Sequence, residues 1–574
     1  MKFNITKIMV PAAALMLAAS VTSCLKDLDK GNIDPHVVES PDAAMLYAKC
    51  YAGLIMEGND GGADFSIEDA GKSTLLRNIF NFNELSTDES ICWWSDAGIV
   101  DISYNQCVPG TATLRFLYYR LVSNIAFCNQ YLNLYGGGDK TMEAEVRFVR
   151  AFNYYQMMDF FGDAPFVTAI SNDDPKQAHA YNPKFVEGQE YTRAELLALG
   201  REFLFTWIES ELKTAEADML APRAKDDSDA DYGRADKASA WFLLSRLYLN
   251  AGTYLNNDGQ NNPYWAQALE YAEKVISSDY SLFTRDNMSA KAKNNGYEAY
   301  DLLFMGDNGS NGASCEAVLP LMQDGKATKG WGGSLFFVAA MWNSDMETVT
   351  GLDAGTTGNN WSGMRARPQL IAKFTNNPES FVGKTTYDIR EMGIDDRALF
   401  WGLGNSNDKR TLDLGDNTNF FQGLATTKWN NNYSTGGTPH DSYDVDIDFF
   451  LFRVAEMYLN AAEAEMHING EGSIKSKQYI DALRNRAHAV TKSSYTLQDV
   501  LDERARELYF EGVRRPDLIR FNQYGGLNVA YVWDYKGGFA NGGNFDKTRN
   551  VFPIPTSEIL ANSNLTQIDG YYAE

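Results

Sequence analysis

The sequence predicts a mainly α-helical protein made of tetratricopeptide-like helical hairpins and carrying one long, loop-rich insertion. Several stretches place apolar residues at helical spacing, and two of them share the tetrapeptide Tyr-Leu-Asn-Ala, at 248–251 and 458–461. Between residues 296 and 445 the texture changes to Gly, Asn, Asp and Trp, with few periodic runs of helix length.

In chain order, residues 1–23 come first. Lys2 and Lys7 precede an apolar run from Ile8 to Ala19, too short to span a bilayer, and small residues lead to Cys24, the layout of a secretory signal. The ending Val21-Thr22-Ser23-Cys24 resembles the lipobox of bacterial lipoproteins, whose cysteine becomes the lipidated first residue of the mature chain. The other reading is an ordinary secretory peptide with Cys24 incidental. Residues 24–40 read as a polar tether, in which Lys26-Asp27 resembles the signal that sends such lipoproteins to the outer face in Bacteroidetes.

Residues 41–295 read as helical. Phe148, Phe152 and Tyr155 form one helical face, stopped by Gly162 and Pro165. A second helix carries Ala240, Leu244, Leu247 and Ala251 on its stripe and is expected to hold Trp241 in the core. After a Gly/Asn/Pro loop, Ala268, Ala272 and Val275 mark the returning helix of a hairpin. A related pair, "FRVAEMYLNAAEAEMHIN" and "KQYIDALRNRA", belongs to the helical region at 446–574. Alanines at facing positions let paired helices approach closely.

The insertion at 296–445 is expected to carry function, because a loop this long inside a helical protein is usually functional. It holds Trp331, Trp342, Trp361, Trp401 and Trp429. Upstream, Trp93 and Trp94 stand side by side among polar residues. They cannot share one face of a strand, so at least one indole meets solvent or a ligand, or both lie partly under a loop.

A net charge of -25 argues against nucleic acid, whose affinity comes from Lys and Arg on phosphates. Besides Cys24, the cysteines are Cys50, Cys92, Cys107, Cys128 and Cys315, without paired CxxC spacing, so no zinc site is indicated. "AGKST" at 70–74 imitates a phosphate loop, but Ser66 stands where the motif needs glycine. The histidines fit no metal or triad spacing, and no nucleophile elbow is present. Paired carboxylates for glycoside hydrolysis are unspecific among 76 acidic residues. Asp444, Asp446 and Asp448 share one face of an extended segment, either as oxygen ligands for calcium or as solvated carboxylates. Aromatic rings in polar loops suit sugars, whose apolar C–H faces cover an indole while Asp, Arg or Asn bonds the hydroxyl edge.

Four segments carry a family resemblance: "AEVRFVRAFNYYQMMDFFGDAPF", "GRADKASAWFLLSRLYLNAG", "LDERARELYFEGVRRPDLIRF" and "FPIPTSEILANSNLTQIDGY". On these the chain resembles the SusD/RagB outer-membrane lipoproteins of Bacteroidetes. The resemblance implies a non-catalytic glycan-binding protein on the outer membrane, facing the exterior, that delivers its ligand to a SusC-like TonB-dependent transporter. Further segments, among them "FNFNELSTDES" and "GTTGNNWSGMRARPQLIAKF", resemble the family's starch-binding founder. They imply starch or a related α-glucan as ligand, an aromatic arc of Trp94, Trp331 and Trp361, and polar contacts from Asp69 and Arg77. Trp93 is then the packing neighbour of Trp94. The resemblance also implies calcium at Asp446 and Asp448. Two departures stand out: Ala97 replaces an expected asparagine contact, and Gly309 lies near an expected aspartate of the calcium loop.

Overall fold

The computed structural model describes residues 41–571 apart from 59–61, 172 and 406–408. Cys24, the signal and the tether lie outside the described residues. The chain divides into two compact units, Met1–Leu46 and Tyr47–Glu574, and the larger one holds the helices and strands that build the site.

Its main helices are α1 (Leu75–Phe80), α2 (Ala112–Tyr135), α3 (Lys140–Phe161), α4 (Arg193–Asp218), α5 (Lys237–Leu249), α6 (Trp265–Ile276), α7 (Ser334–Met341), α8 (Val454–Asn469), α9 (Ile474–Arg486), α10 (Leu497–Leu508) and α11 (Arg514–Arg520). Local chemistry sets their ends. Asp139 caps α3 by accepting from the Met142 N–H at 3.0 Å, and Gly162, at φ +71°, ends it. Thr192 with Glu195 and Asp236 with Ser239 form capping boxes for α4 and α5.

The expected stripes are core: Phe148, Phe152, Tyr155, Ala240, Leu244, Leu247, Ala251, Ala268, Ala272 and Val275 are all buried. Helix α6 packs on both α5 and α8, so the hairpin at 237–276 and the related pair α8–α9 meet although some 180 residues separate them in sequence. Trp241 departs from expectation. It is half-buried, because its indole N–H turns outward to Glu216 at 2.6 Å.

Short antiparallel pairs tie the insertion to the helices: β1 (Ser90–Ile91) with β3 (Arg365–Ala366), and β2 (Ala317–Leu321) with β4 (Phe449–Arg453). Phe452 of β4 stacks on Phe242 of α5 with centroids 4.3 Å apart. The arginine-rich signature at 501–521 is largely buried and paired with carboxylates, some inside the signature and some from distant segments. Arg504 meets Asp517 at 2.7 Å, Arg514 meets Asp88 at 2.8 Å and Arg520 meets Glu463 at 2.6 Å. Among the described residues no helix is long and apolar enough to cross a membrane.

Candidate functional site

The site begins with a strand pair. Ser90 is opposite Ala366 and Ile91 opposite Arg365, so continuing this antiparallel register by three residues brings Trp94 level with Ser362. There the Trp94 indole N–H donates to the Ser362 carbonyl at 2.9 Å. Two short strands thus bring Trp94 beside Trp361 from across the sequence.

Helix α7 fixes the other side. Its last carbonyls lack partners within the helix, and the 361–364 loop supplies them: the Trp361 N–H donates to Ala339 at 2.8 Å and the Met364 N–H to Ala340 at 3.1 Å. Ahead of α7, the Trp331 N–H donates to the buried Glu57 carboxylate at 2.9 Å. Gly71 lies against this turn, since a Cβ there would come within 2.5 Å of the Trp331 Cβ. The decoy "AGKST" therefore seats a tryptophan, with its backbone pressed close to the Trp331 loop.

These supports bring the three indoles together. Trp331 and Trp361 stack with centroids 6.2 Å apart and planes 24° apart; Trp361 and Trp94 are 6.4 Å apart at 63°. Trp331 is 45% exposed, and Trp94 and Trp361 are half-buried. The result is a cluster of three partly exposed indoles. One side opens on a groove of about 540 Å³ lined by Arg77, Trp93, Trp94, Ser95, Asp96, Trp361 and Phe420. Trp331 borders another, of about 510 Å³, with Tyr443, Lys329 and Asp444. Trp93 leans on Tyr104 at 5.6 Å and also lines the first groove, while Ala97 is exposed beside it.

The polar groups are asymmetric. Arg77 is buried, its guanidinium 4.7 Å from the Phe336 centroid and 5.9 Å from Trp94. It makes no side-chain hydrogen bond or ion pair with any described residue, and its Nε is a buried donor without an acceptor. Burial lowers its pKa, partly offset by Asp96 and Asp69. Those carboxylates are held by Lys72, at 2.6 Å from Asp96 and 3.0 Å from Asp69. Partial burial raises the Asp69 carboxyl, but the Lys72 ammonium and N–H outweigh it and leave the pKa lowered.

Asp446 and Asp448 lie apart from the arc, both buried just before β4. Asp446 accepts from the Tyr433 hydroxyl and the His440 N–H, each at 2.8 Å, and Asp448 from the Gln323 N–H at 3.0 Å. Burial pushes the Asp448 carboxyl up to about 7, opposed by the Gln323 bond and helped by the Asp446 charge. Gly309 lies against Asp448, where a Cβ would come 2.6 Å from Oδ2. Among the described residues, no group of three His, Cys, Asp or Glu ligand atoms within chelating reach includes this pair. Calcium takes about six to eight oxygens, so the donor set fits it only in part.

Several residues here were not singled out from sequence: Tyr443, whose ring meets Trp331 at 5.6 Å, and Lys72, Asp96 and Phe420. Tyr443, an aromatic residue beside Asp444, was the one with a readable signal. Conversely, Trp342, Trp401 and Trp429 of the insertion are core residues, each at most 2% exposed.

A model described as the SusD family matches residues 340–571. Over 100% of both chains the protein is 35% identical to the starch-binding protein SusD of Bacteroides thetaiotaomicron. The chain belongs to the SusD family. Among solved structures, surface glycan-binding protein A of Bacteroides uniformis covers 92% of this chain and 98% of its own at a TM-score of 0.61 and 18% identity. Surface glycan-binding protein A of Bacteroides thetaiotaomicron, in complex with laminarihexaose, gives 0.60 and 17% over the same shares. At such identities these two support the fold alone. SusD-family proteins bind carbohydrate and are not enzymes. Trp361 falls inside the matched segment, whereas Trp94, Trp331, Asp69 and Arg77 precede it and are covered by the full-length similarity.

Proposed function

We propose that this SusD-family protein captures starch and malto-oligosaccharides at Trp94, Trp331 and Trp361 and passes them to a SusC-like TonB-dependent transporter. The observation carrying this reading is the meeting of three partly exposed indoles set at different angles. Ring planes set 24° and 63° from one another suit a glycan whose sugar faces differ in orientation from one residue to the next, as in a helical α-glucan, better than a flat ribbon. Full-length similarity to a starch-binding relative supports it. Arg77 and Asp69 bond hydroxyls at the edge of the stacked rings, and Lys72 holds Asp69 in place. Retention on amylopectin beside laminarin and cellulose tests the reading. Strongest retention on laminarin would replace α-glucan with β-glucan, the class in the complex of the structural neighbour.

The anchoring belongs to the same proposal. Acylated Cys24 holds the domain on the outer membrane, since each buried methylene contributes about 0.8 kcal/mol and several chains hold a soluble domain stably. Membrane retention of Cys24→Ala, or shielding of the wild type from protease added to cells, counts against it. Recovery from native membranes without a large β-barrel partner counts against the transporter. Calcium at Asp446 and Asp448 is a separate proposal, resting on two buried carboxylates in adjoining positions. A thermal midpoint that responds to calcium in the wild type and not in Asp446→Asn is its expected signature.

A further inference from the structure

Helix α4 carries Arg193, Leu197 and Arg201 at successive four-residue steps, hence on one face. They line a cavity of about 430 Å³, closed by Tyr254, the 546–551 segment, Ile568 and Asp569. Arg201 is the unusual member. It is 4% exposed, yet it makes no hydrogen bond or ion pair with any described residue, and its Nε is a buried donor without an acceptor.

The obvious internal partner is already taken. Asp159 is hydrogen-bonded to Arg515 and accepts from the Tyr254 hydroxyl at 3.0 Å. What Arg201 has instead is the Tyr254 ring, 5.9 Å from its guanidinium carbon. Many other buried arginines of this chain are paired with carboxylates, as Arg514 is with Asp88 and Arg520 with Glu463, and the other unpaired one described above, Arg77, also lines a groove. A buried charge without a partner is strongly unfavourable, so an unpaired guanidinium beside a cavity points to a ligand of opposite charge. The other charged groups of the cavity are Arg193, which donates to the Gln567 carbonyl at 2.6 Å, Lys547, bonded to the Asn257 carbonyl, and two carboxylates. Asp546 accepts from the Thr548 N–H at 2.9 Å, and Asp569 completes the lining. Three cations against two carboxylates leave one positive charge, and Leu197, Val551 and Ile568 supply apolar wall.

We propose that this cavity binds a small monocarboxylate, with the carboxyl group on Arg201. The volume lies in the range of small-molecule sites. The site is independent of the tryptophan arc, sharing no lining residue with either of its grooves.

Thermal unfolding of the mature chain in rising sodium glucuronate or acetate, with sodium chloride at matched ionic strength, tests this. The expected result is a saturable rise in midpoint with a carboxylate over chloride, since a ligand that binds only the folded state stabilises by mass action. In Arg201→Met the rise should vanish, while the midpoint without carboxylate stays level or increases and amylopectin retention is unchanged. Equal rises in both proteins, or a lower ligand-free midpoint in Arg201→Met, would overturn the assignment. So would a response to inorganic phosphate with none to either carboxylate.

Discussion

The Trp94 indole leaves no room for a methyl group on Gly363: a Cβ there would lie 2.1 Å from Trp94 Nε1. That nitrogen is tied to the Ser362 carbonyl, so the ring cannot slide away without losing its bond. Gly363 also adopts φ +102°, where a side chain is strained by about 1 to 3 kcal/mol. Gly363→Ala is therefore expected to lower the thermal midpoint and to weaken α-glucan binding several-fold by displacing Trp94. Unchanged affinity in the destabilised variant would remove Trp94 from the site.

Arg77 invites a different substitution. Its guanidinium lines the groove without a partner among the described residues, so Arg77→Met removes donors while keeping a chain of similar length against Phe336. Stability should hold or rise, because an unpaired buried charge is lost. Affinity for maltoheptaose should fall several-fold by calorimetry, with the loss in enthalpy. A loss of stability with affinity intact would make Arg77 a packing residue only.

Acid should undo the buried ion network. Glu503 is fully buried, which raises its pKa, but Arg397, Arg506 and Arg484 outweigh this and hold it down at about 2. Between about 2 and its ordinary value of about 4.3 the unfolded chain binds a proton that the folded chain refuses, so stability climbs with pH. The contribution is complete above that window and is lost as pH falls through it, about 3 kcal/mol in all. Urea midpoints measured from pH 7 to 2.5 should drop steeply in the wild type and less steeply in Glu503→Gln. Parallel curves would mean that Glu503 carries none of the acid sensitivity.

Much of this fold is written in local patterns, because a helix declares itself through periodicity and caps that lie within one stretch. The stripes at 148–155, 240–251 and 268–275 and the cap at Asp139 are of that kind. The meeting of Trp94 with Trp361 is not. It depends on a pairing between two-residue strands, too short to leave a period and far apart in the chain. Composition also misleads about burial. Trp429 shares the polar surroundings of Trp361, yet it is 1% exposed and its carbonyl accepts from the Trp342 indole at 2.6 Å inside the core. Trp241 errs the other way, on a core helix but turned out to Glu216. The burial of Arg514 and Arg520 leaves no local trace either, because charge alone does not reveal partners as distant as Asp88 and Glu463. The family likeness implied the three tryptophans as a set; the register explains how two of them meet.

The last prediction concerns the arc itself. Each ring is expected to contribute stacking of about 0.5 to 1.5 kcal/mol beyond the area it covers, so single alanine variants should bind malto-oligosaccharide a few-fold to about tenfold more weakly. Trp331→Ala should be the mildest for stability, since that ring is 45% exposed. Trp94→Ala also loses the bond to Ser362 and the contact with Phe336, and its midpoint should fall further. The triple variant should lose measurable retention on amylopectin, because retention of a polymer multiplies a weak single-site affinity over many copies. Trp429→Ala is the control that Trp241 cannot be: it empties a core site at a cost of about 3 to 5 kcal/mol and should spare affinity where the variant remains folded. A folded triple variant that binds as tightly as the wild type would falsify the assignment of these three residues.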